Sequence, residues 1–546
     1  MTDFAPRFIG IPSDSPQAGL LSAEAVGSKA AELSRMCRLG LRVPPAFVLP
    51  TALCIPVNRG DAEALRAMEQ GLMAGIARLE QATGRGFGDG RMPLLVSVRS
   101  GGAQSMPGML STILDVGLNA ATVQGLIGYT GNPRLAWDSY RRFIQIYAEV
   151  VHDAPAAPFE AALGRILRSE GAAYESDLDP EALERLTHEF HQIAARSLGI
   201  AIPEDPMEQL SAAARAVYRS WDSPRAREYR RLNRLEGLAG TAVTVQTMVF
   251  GNSGGRSGAG VAFSRNPATG AKEFYVDFLF DAQGEDVVSG RRMPGDVALL
   301  AARLPREAKA LTEGAARLER ELRDIQDIEF TIEDATLYFL QTRSAKRTPR
   351  AALRILVDLV REGLLDTGTA LKRAQSIDVE RARVTRFADD VQAVASAISA
   401  SPGVASGRVA FDTTRARALA GSGDPVILVR HDTSTEDVAG FAASAGILTA
   451  VGGRTAHAAV VARQMGRVCL VGCRQLRILE DGQHAELGGH PVMEGDWISL
   501  DGATGEIALG QRKIVAELPE AELAEIDSWR GQALPATSVT AVQPSS

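Results

Sequence analysis

From about residue 120 to about residue 235 nearly every apolar position falls at helical spacing, while short apolar runs punctuated by Gly and Pro lie on both sides. A chain patterned this way cannot be all-β. A long helical block between strands reads as an insertion within an α/β domain. Inside the block, Tyr140, Phe143, Ile144, Tyr147 and Val151 make one stripe. Leu183, Leu186, Phe190 and Ile193 make another, after Asp179 as N-cap and Pro180 as first helical residue.

Before the block, the pattern predicts a helix over 30–39, a strand over 46–49 and a helix from Asp61 whose apolar face is Leu65, Met68, Leu72, Ile76 and Leu79. A buried strand over 94–98 ends at Arg99, and a loop over 100–108 follows. After the block, strands are expected at 242–250, 260–263, 274–280, 328–332 and 337–341, with a charged helix over 306–323. Residues 346–395 read as a helical linker with a narrow stripe of Leu353, Leu356, Val357 and Val360. A second domain spans 396–510, with strands at 408–411, 425–429, 447–451 and 497–500 and a helix after Thr455. The tail, 511–546, is expected to be partly disordered, because from Gln532 it is Pro, Ser, Thr and Ala without periodicity.

The 546 residues carry a formal charge of -7 and are 45% hydrophobic. A mildly acidic chain is a poor candidate for a general nucleic-acid or anionic-membrane binder. No apolar run approaches the ~20 residues that span a bilayer. The start, Met1 to Gly10, lacks the basic and apolar regions of a secretory signal, so the expected location is cytoplasmic. Four cysteines are too few for a disulfide scaffold, and Cys469 and Cys473 have no second pair at zinc-ligand spacing.

Four constellations could carry chemistry. In Ile447-Leu-Thr-Ala-Val-Gly-Gly-Arg-Thr-Ala-His457, a buried strand runs into two glycines and then a helix of small residues, which puts His457 in the first helical turn. Free backbone N–H groups and the positive helix end favour an anion there, and Arg454 adds a charge. Such a histidine suits a phosphoryl acceptor, although it could simply begin a helix. In Val249-Phe-Gly-Asn-Ser-Gly-Gly-Arg-Ser-Gly-Ala-Gly260, five glycines between two strands would let backbone N–H groups approach a polyphosphate; a plain β-turn is the alternative. Asp327 and Glu329 share one strand face, which suits Mg²⁺ held together with phosphates, or a solvated edge. Gln341 and Arg343 share a face of the next strand. Lys29 and Arg99 are surface cations taken singly; with the acids and the glycine loop they fit a nucleotide cleft.

At these residues the sequence closely resembles pyruvate, phosphate dikinase. The matching runs are Gly27-Ser-Lys-Ala-Ala-Glu-Leu33, Leu39-Gly-Leu-Arg-Val-Pro-Pro-Ala-Phe47, Ser97-Val-Arg-Ser100, Ser105 to Asn119, Asp138-Ser-Tyr-Arg-Arg-Phe143, Val249 to Pro267, Ala282-Gln-Gly-Glu-Asp286, Asp327 to Glu333, Leu340-Gln-Thr-Arg343 and the His457 run. The resemblance implies an α/β multidomain protein: an ATP-grasp-like nucleotide-binding domain over 1–345 with its helical insertion, the linker, and a swivelling β/β/α phosphohistidine domain over 396–510. It implies a phosphotransferase in which ATP phosphorylates the histidine through a pyrophosphoryl intermediate, AMP leaves, and inorganic phosphate takes the terminal phosphoryl group to give pyrophosphate.

Carried over residue by residue, Lys29 and Arg99 resemble the triphosphate-binding cations, and the loop bearing Gly251, Gly254, Gly258 and Gly260 resembles the phosphate cover. Glu285, Gln341 and Arg343 resemble further ATP contacts, Asp327 and Glu329 the Mg²⁺ ligands, and His457 the phosphocarrier beside Arg454 and Thr455. Ser28 stands where the family's lysine motif usually has a second glycine. Gly-Gly-Arg454-Thr is nearer to phosphoenolpyruvate synthase and to enzyme I of the sugar phosphotransferase system. After Gly495-Asp-Trp-Ile-Ser-Leu-Asp-Gly-Ala-Thr-Gly-Glu506, where the family enters its barrel, only a short tail remains. The expected partners are therefore ATP, phosphate and a separate acceptor-binding protein or subunit presenting pyruvate or another small molecule. The alternative is a nucleotide-binding regulatory or inactive paralogue.

Overall fold

Alternating apolar residues on five short strands build an antiparallel sheet, in spatial order Arg7–Ile9, Ala46–Leu49, Thr241–Thr247, Val96–Gly102 and Thr112–Val116. The computed structural model describes residues 4–11, 21–104, 106, 109–289, 294–389, 392–432, 437–454, 457–479 and 481–532. It divides into two units, one of Met1–Ala259, Phe280–Ala282 and Glu329–Thr342, the other of Gly260–Leu279, Gln283–Ile328 and Arg343–Ser546. A four-stranded sheet runs in the order Tyr275–Phe280, Gly258–Phe263, Gln326–Glu333 and Thr336–Ser344.

In the first unit the helix Ala62–Thr83 starts where Asp61 accepts from the N–H groups of Glu63 and Ala64, and stops at Gly84 with φ +68°. Met68, Leu72, Ile76 and Leu79 bury its inner face, and Gly75 lies so near Phe47 that an added Cβ would sit 2.4 Å from the ring. The block from 120 to 235 is helical as its spacing predicts, with Pro at the head of Pro133–His152, Pro180–Gln192, Pro206–Ser220 and Pro224–Leu232. One cluster of its charges is mutually paired: Asp138 contacts Arg141 (2.7 Å) and Arg142 (3.1 Å), and Glu175 meets the same two arginines.

In the second unit the sheet has eight strands, in order Ala395–Ser396, Glu506–Leu509, Trp497–Asp501, Val404–Ala410, Val426–Arg430, Gly446–Thr449, Val468–Val471 and Ile398–Ser401. Val404–Ala410 to Val468–Val471 are mutually parallel, and each step between them is bridged by a helix: Thr413–Gly421, Val438–Ala443 and His457–Met465. His457 thus begins a crossover helix that follows the carboxyl end of a buried parallel strand.

Three stretches differ from expectation. The strand foreseen at 94–98 runs through Val96–Gly102, because seven pairings with Thr241–Thr247 hold extended a Ser-Gly-Gly sequence that reads locally as loop. The 346–395 stretch is helical over Pro349–Arg361 and Thr367–Ala374 and then becomes a strand, Val384–Phe387, of alternating β-formers. That strand pairs with Ile514–Glu517, and a helix, Glu520–Gln532, follows in what was expected to be tail; its Glu525 pairs with Arg361. Residues 533–546, where disorder is expected, lie outside the described residues.

Candidate active site

The Gly-Ser-Lys run begins with a backbone break. Gly27 sits at φ +77° inside the helix Ala23–Arg38, and a Cβ there would lie 2.0 Å from the carbonyl oxygen of Gly101. Only glycine permits that conformation at that distance. The contact seats the helix on the end of the Val96–Gly102 strand, so the Lys29 stem passes 3.6 Å from where a Gly101 Cβ would be. Arg99 lies two residues earlier on the same strand, hence on the same face. The structure therefore brings Lys29 and Arg99, seventy residues apart in sequence, to one sheet end.

Arg99 is held loosely. Its Nη1 donates to Gln246 Oε1 at 3.3 Å and its Nη2 to Gln341 Oε1 at 3.4 Å, with Glu329 Oε2 3.6 Å away. These are long for hydrogen bonds of a charged donor, whose usual length is about 2.7–2.9 Å. Burial pulls its pKa down and Glu329 pushes it back, but a guanidinium stays protonated. Gln246 is not among the residues expected from sequence, although Thr244 and Gln246 are polar positions alternating with Val243 and Val245 in a fully buried strand.

The glycine loop is closed at its root and open at its tip. A Cβ on Gly251 would fall 2.2 Å from the carbonyl oxygen of Ala282 and 2.9 Å from the Gly258 carbonyl carbon. Ser257 N–H donates to Gly254 O (2.9 Å), Asp281 N–H to Ser257 O (3.0 Å), and Ala335 N–H to Arg256 O (3.0 Å). Gly254, at φ +108°, has nothing within 4 Å of an added Cβ, and Gly255 and Arg256 are exposed. Gly260 is a buried strand residue rather than part of the tip.

Within the second unit, Arg343 Nε donates to Asp327 Oδ2 at 2.8 Å. Glu285 lies half-buried in the first turn of the short helix Gly284–Ser289. Among the described residues no three His, Cys, Asp or Glu side chains converge as a metal cage. Asp327 and Glu329 are alternate residues of the strand Gln326–Glu333, and carboxylates are the ordinary side-chain ligands of Mg²⁺, which usually takes one or two and completes its shell with phosphate oxygens and water.

The strand Gly446–Thr449 leads into Gly452, at φ +109°, and Gly453. A Cβ on Gly453 would meet Asp277 Oδ2 at 2.9 Å and Pro294 Cγ at 2.3 Å. Arg454 places its guanidinium 4.8 Å from the Tyr275 ring centre and donates from Nε to Ser399 O at 2.8 Å. Tyr275 O–H donates to Asp277 Oδ1 at 2.9 Å. Thr455 lies outside the described residues; His457 is the first residue of the helix His457–Met465. Cys469 and Cys473 are buried, and burial pushes the Cys469 thiol up to about 12, as suits a structural role.

A family model described as "Pyruvate phosphate dikinase, AMP/ATP-binding domain" matches residues 65–305, and one described as "PEP-utilising enzyme, mobile domain" matches residues 422–505. Pyruvate, phosphate dikinase of Clostridium symbiosum is 45% identical over 490 residues, covering 89% of this chain and 56% of that protein. The chloroplastic enzyme of Flaveria pringlei is 42% identical over 511 residues (93% of this chain, 53% of that protein). The chain belongs to the pyruvate, phosphate dikinase family. It spans about half the length of these curated relatives. Among the described residues no helix is long and apolar enough to cross a membrane.

Proposed function

We propose that this chain is an ATP-dependent dikinase-type phosphotransferase module that phosphorylates its own His457. An imidazole nitrogen of His457 attacks the β-phosphorus of ATP, the α,β-bridging bond breaks, and AMP leaves with the electron pair. Inorganic phosphate then takes the terminal phosphoryl group as pyrophosphate, leaving phosphohistidine. The acceptor, pyruvate or another small molecule, is on this proposal held outside these 546 residues by a separate partner protein or subunit.

The observation that carries the proposal is the Arg99 cluster. A largely buried cation held by two amide oxygens beyond 3.2 Å and a carboxylate oxygen at 3.6 Å is poised to exchange the amides for phosphate oxygens. Lys29 supplies a second cation at the same sheet end, and the Gly251–Gly260 loop, whose Gly254 N–H donates to Asp281 Oδ1 at 3.3 Å, would cover the phosphates as an ATP-grasp-like cleft does. Asp327 and Glu329 would hold Mg²⁺, which supplies charge neutralisation on the transferring phosphoryl group. Gln341, Arg343 and Glu285 complete the ATP contacts. Arg454 and Thr455, which precede His457 in the sequence, would assist the transfer, and the second domain would swivel between ATP and the acceptor.

Incubation with Mg-ATP and phosphate is expected to release AMP and leave an acid-labile, alkali-stable phosphoryl group on the protein, absent from His457→Asn. A wild-type chain that binds nucleotide without labelling would make it a regulatory paralogue instead. Full labelling of His457→Asn would remove the histidine from the chemistry.

A further inference from the structure

Arg463 lies six residues after His457 in the helix His457–Met465 and is only 2% exposed. Burying a guanidinium is costly unless it is paired and hydrogen-bonded. Arg463 spends its Nη1 on two main-chain oxygens, Arg454 O at 2.8 Å and Ala400 O at 3.0 Å, while its Nε lacks a hydrogen-bond partner among the described residues. Phe263 lies with its ring centre 5.9 Å from the guanidinium, and Asp277 and Asp327 act on it as more distant opposite charges. Among the described residues the helix's other buried positions are Ala459 and Ala462, with Val461 and Met465 packed beside them, and these pack without charge. A long apolar side chain would fill the same space without the desolvation cost, so packing does not account for the arginine.

What the arginine does, and an apolar residue cannot, is join two carbonyls. Arg454 ends the described part of the glycine turn, and Ala400 belongs to the strand Ile398–Ser401. Arg454 is itself tied to Ser399 O in that strand, so the turn is fastened to the strand once by its side chain and once by its main chain through Arg463. The two glycines ahead of Arg454 leave the turn intrinsically loose.

We infer that Arg463 is a positioning residue for phosphoryl transfer: by bridging the carbonyls of Arg454 and Ala400 it fixes the turn leading into His457 and thereby the approach of that residue to its phosphoryl donor. The inference rests on His457 as phosphocarrier. A nucleophile misplaced by about 1 Å can lose on the order of 10²-fold in rate, so a fastening one turn away from the chemistry matters.

The test compares two donors. Mg-ATP demands a correctly presented histidine; phosphoramidate, a small donor that transfers its phosphoryl group with loss of ammonia, needs no nucleotide cleft. Arg463→Met is expected to slow labelling from Mg-ATP by roughly tenfold or more. The ATP concentration giving half-maximal rate and the rate from phosphoramidate should stay unchanged. Arg463→Lys keeps the charge and several donors on one nitrogen but places it on a shorter, more flexible stem than the Nη1 that meets both carbonyls, and should fall between; if the Met variant does not fold, the Lys variant decides on the same criterion. Equal ATP-dependent rates in wild type and variants would overturn the inference, as would equal slowing with both donors. A wild-type chain that fails to label His457 from Mg-ATP would overturn the phosphocarrier assignment instead.

Discussion

Arg265, two residues past the strand Gly258–Phe263, and Arg99, within the strand Val96–Gly102, have surroundings that differ in kind. Arg265 is fully buried and saturated: it donates from Nε and Nη2 to Glu319 Oε1 at 3.0 and 2.7 Å, and from Nη1 and Nη2 to the two oxygens of Glu362 at 3.0 and 2.8 Å. Burial alone would lower its pKa, but those bonds outweigh it and hold the pKa raised. Arg99 has amide oxygens at 3.3 and 3.4 Å and a carboxylate at 3.6 Å, and its pKa is lowered. The strong carboxylate pairing of Arg265 is used up within the fold. Arg99 is kept charged, oriented and underused, which is the state an incoming anion needs.

The largest expected effects come from exchanging the two roles. Arg265→Met should cost about 3–5 kcal/mol, because it leaves Glu319 buried without its cation. Arg99→Met should barely move the urea midpoint yet cut ATP-dependent labelling by roughly 10²-fold or more. Equal losses of stability in the two variants would erase the distinction.

A smaller effect tests how the loosely held cation is placed. Gly27→Ala puts a methyl group 2.0 Å from the Gly101 carbonyl oxygen at φ +77°, so it should cost about 2 kcal/mol or more in thermal or urea unfolding and slow labelling as Lys29 shifts. A Gly27→Ala variant with wild-type stability would show that the seat of Lys29 on Arg99's strand is misdescribed.

The next effect sharpens the saturated class. Burial would raise the Asp138 carboxyl, but Arg142, Arg141 and Arg134 outweigh it and hold it down at about 2. A carboxyl with a depressed folded pKa stabilises above its unfolded value, near 3.9, and that contribution is lost as pH falls from there through about 2. Roughly 2 kcal/mol should disappear across this window. Urea titrations at pH 5 and pH 2.5 would measure it, and in Asp138→Asn the pH dependence should be flatter by that amount. An unchanged slope in the variant would place the acid sensitivity elsewhere.

Local chemistry made part of this molecule legible in its sequence. Asp61, Asp179 and the Gly452–Gly453 turn act through neighbours within a few residues, and the elements they begin or end lie where their residues predict. Long-range pairing was not legible. Nothing near Arg99 announces Gln246, 147 positions away, and Ser-Gly-Gly after Arg99 reads as loop until Thr241–Thr247 pairs with it. Val384–Phe387 reads as linker in the sequence because its strand partner, Ile514–Glu517, lies far along the chain. Arg463 looks like an ordinary basic residue near a helix end; only the tertiary placement of two carbonyls gives it a task.

The most direct test of the central claim uses ATP labelled separately at its β- and γ-phosphorus. With Mg²⁺ and inorganic phosphate, β-label should be retained on His457 in an amount equal to the AMP released, while γ-label should leave in pyrophosphate. Retention of γ-label on the protein with release of ADP would contradict the account, because it would mean a single phosphoryl transfer and no attack at the β-phosphorus.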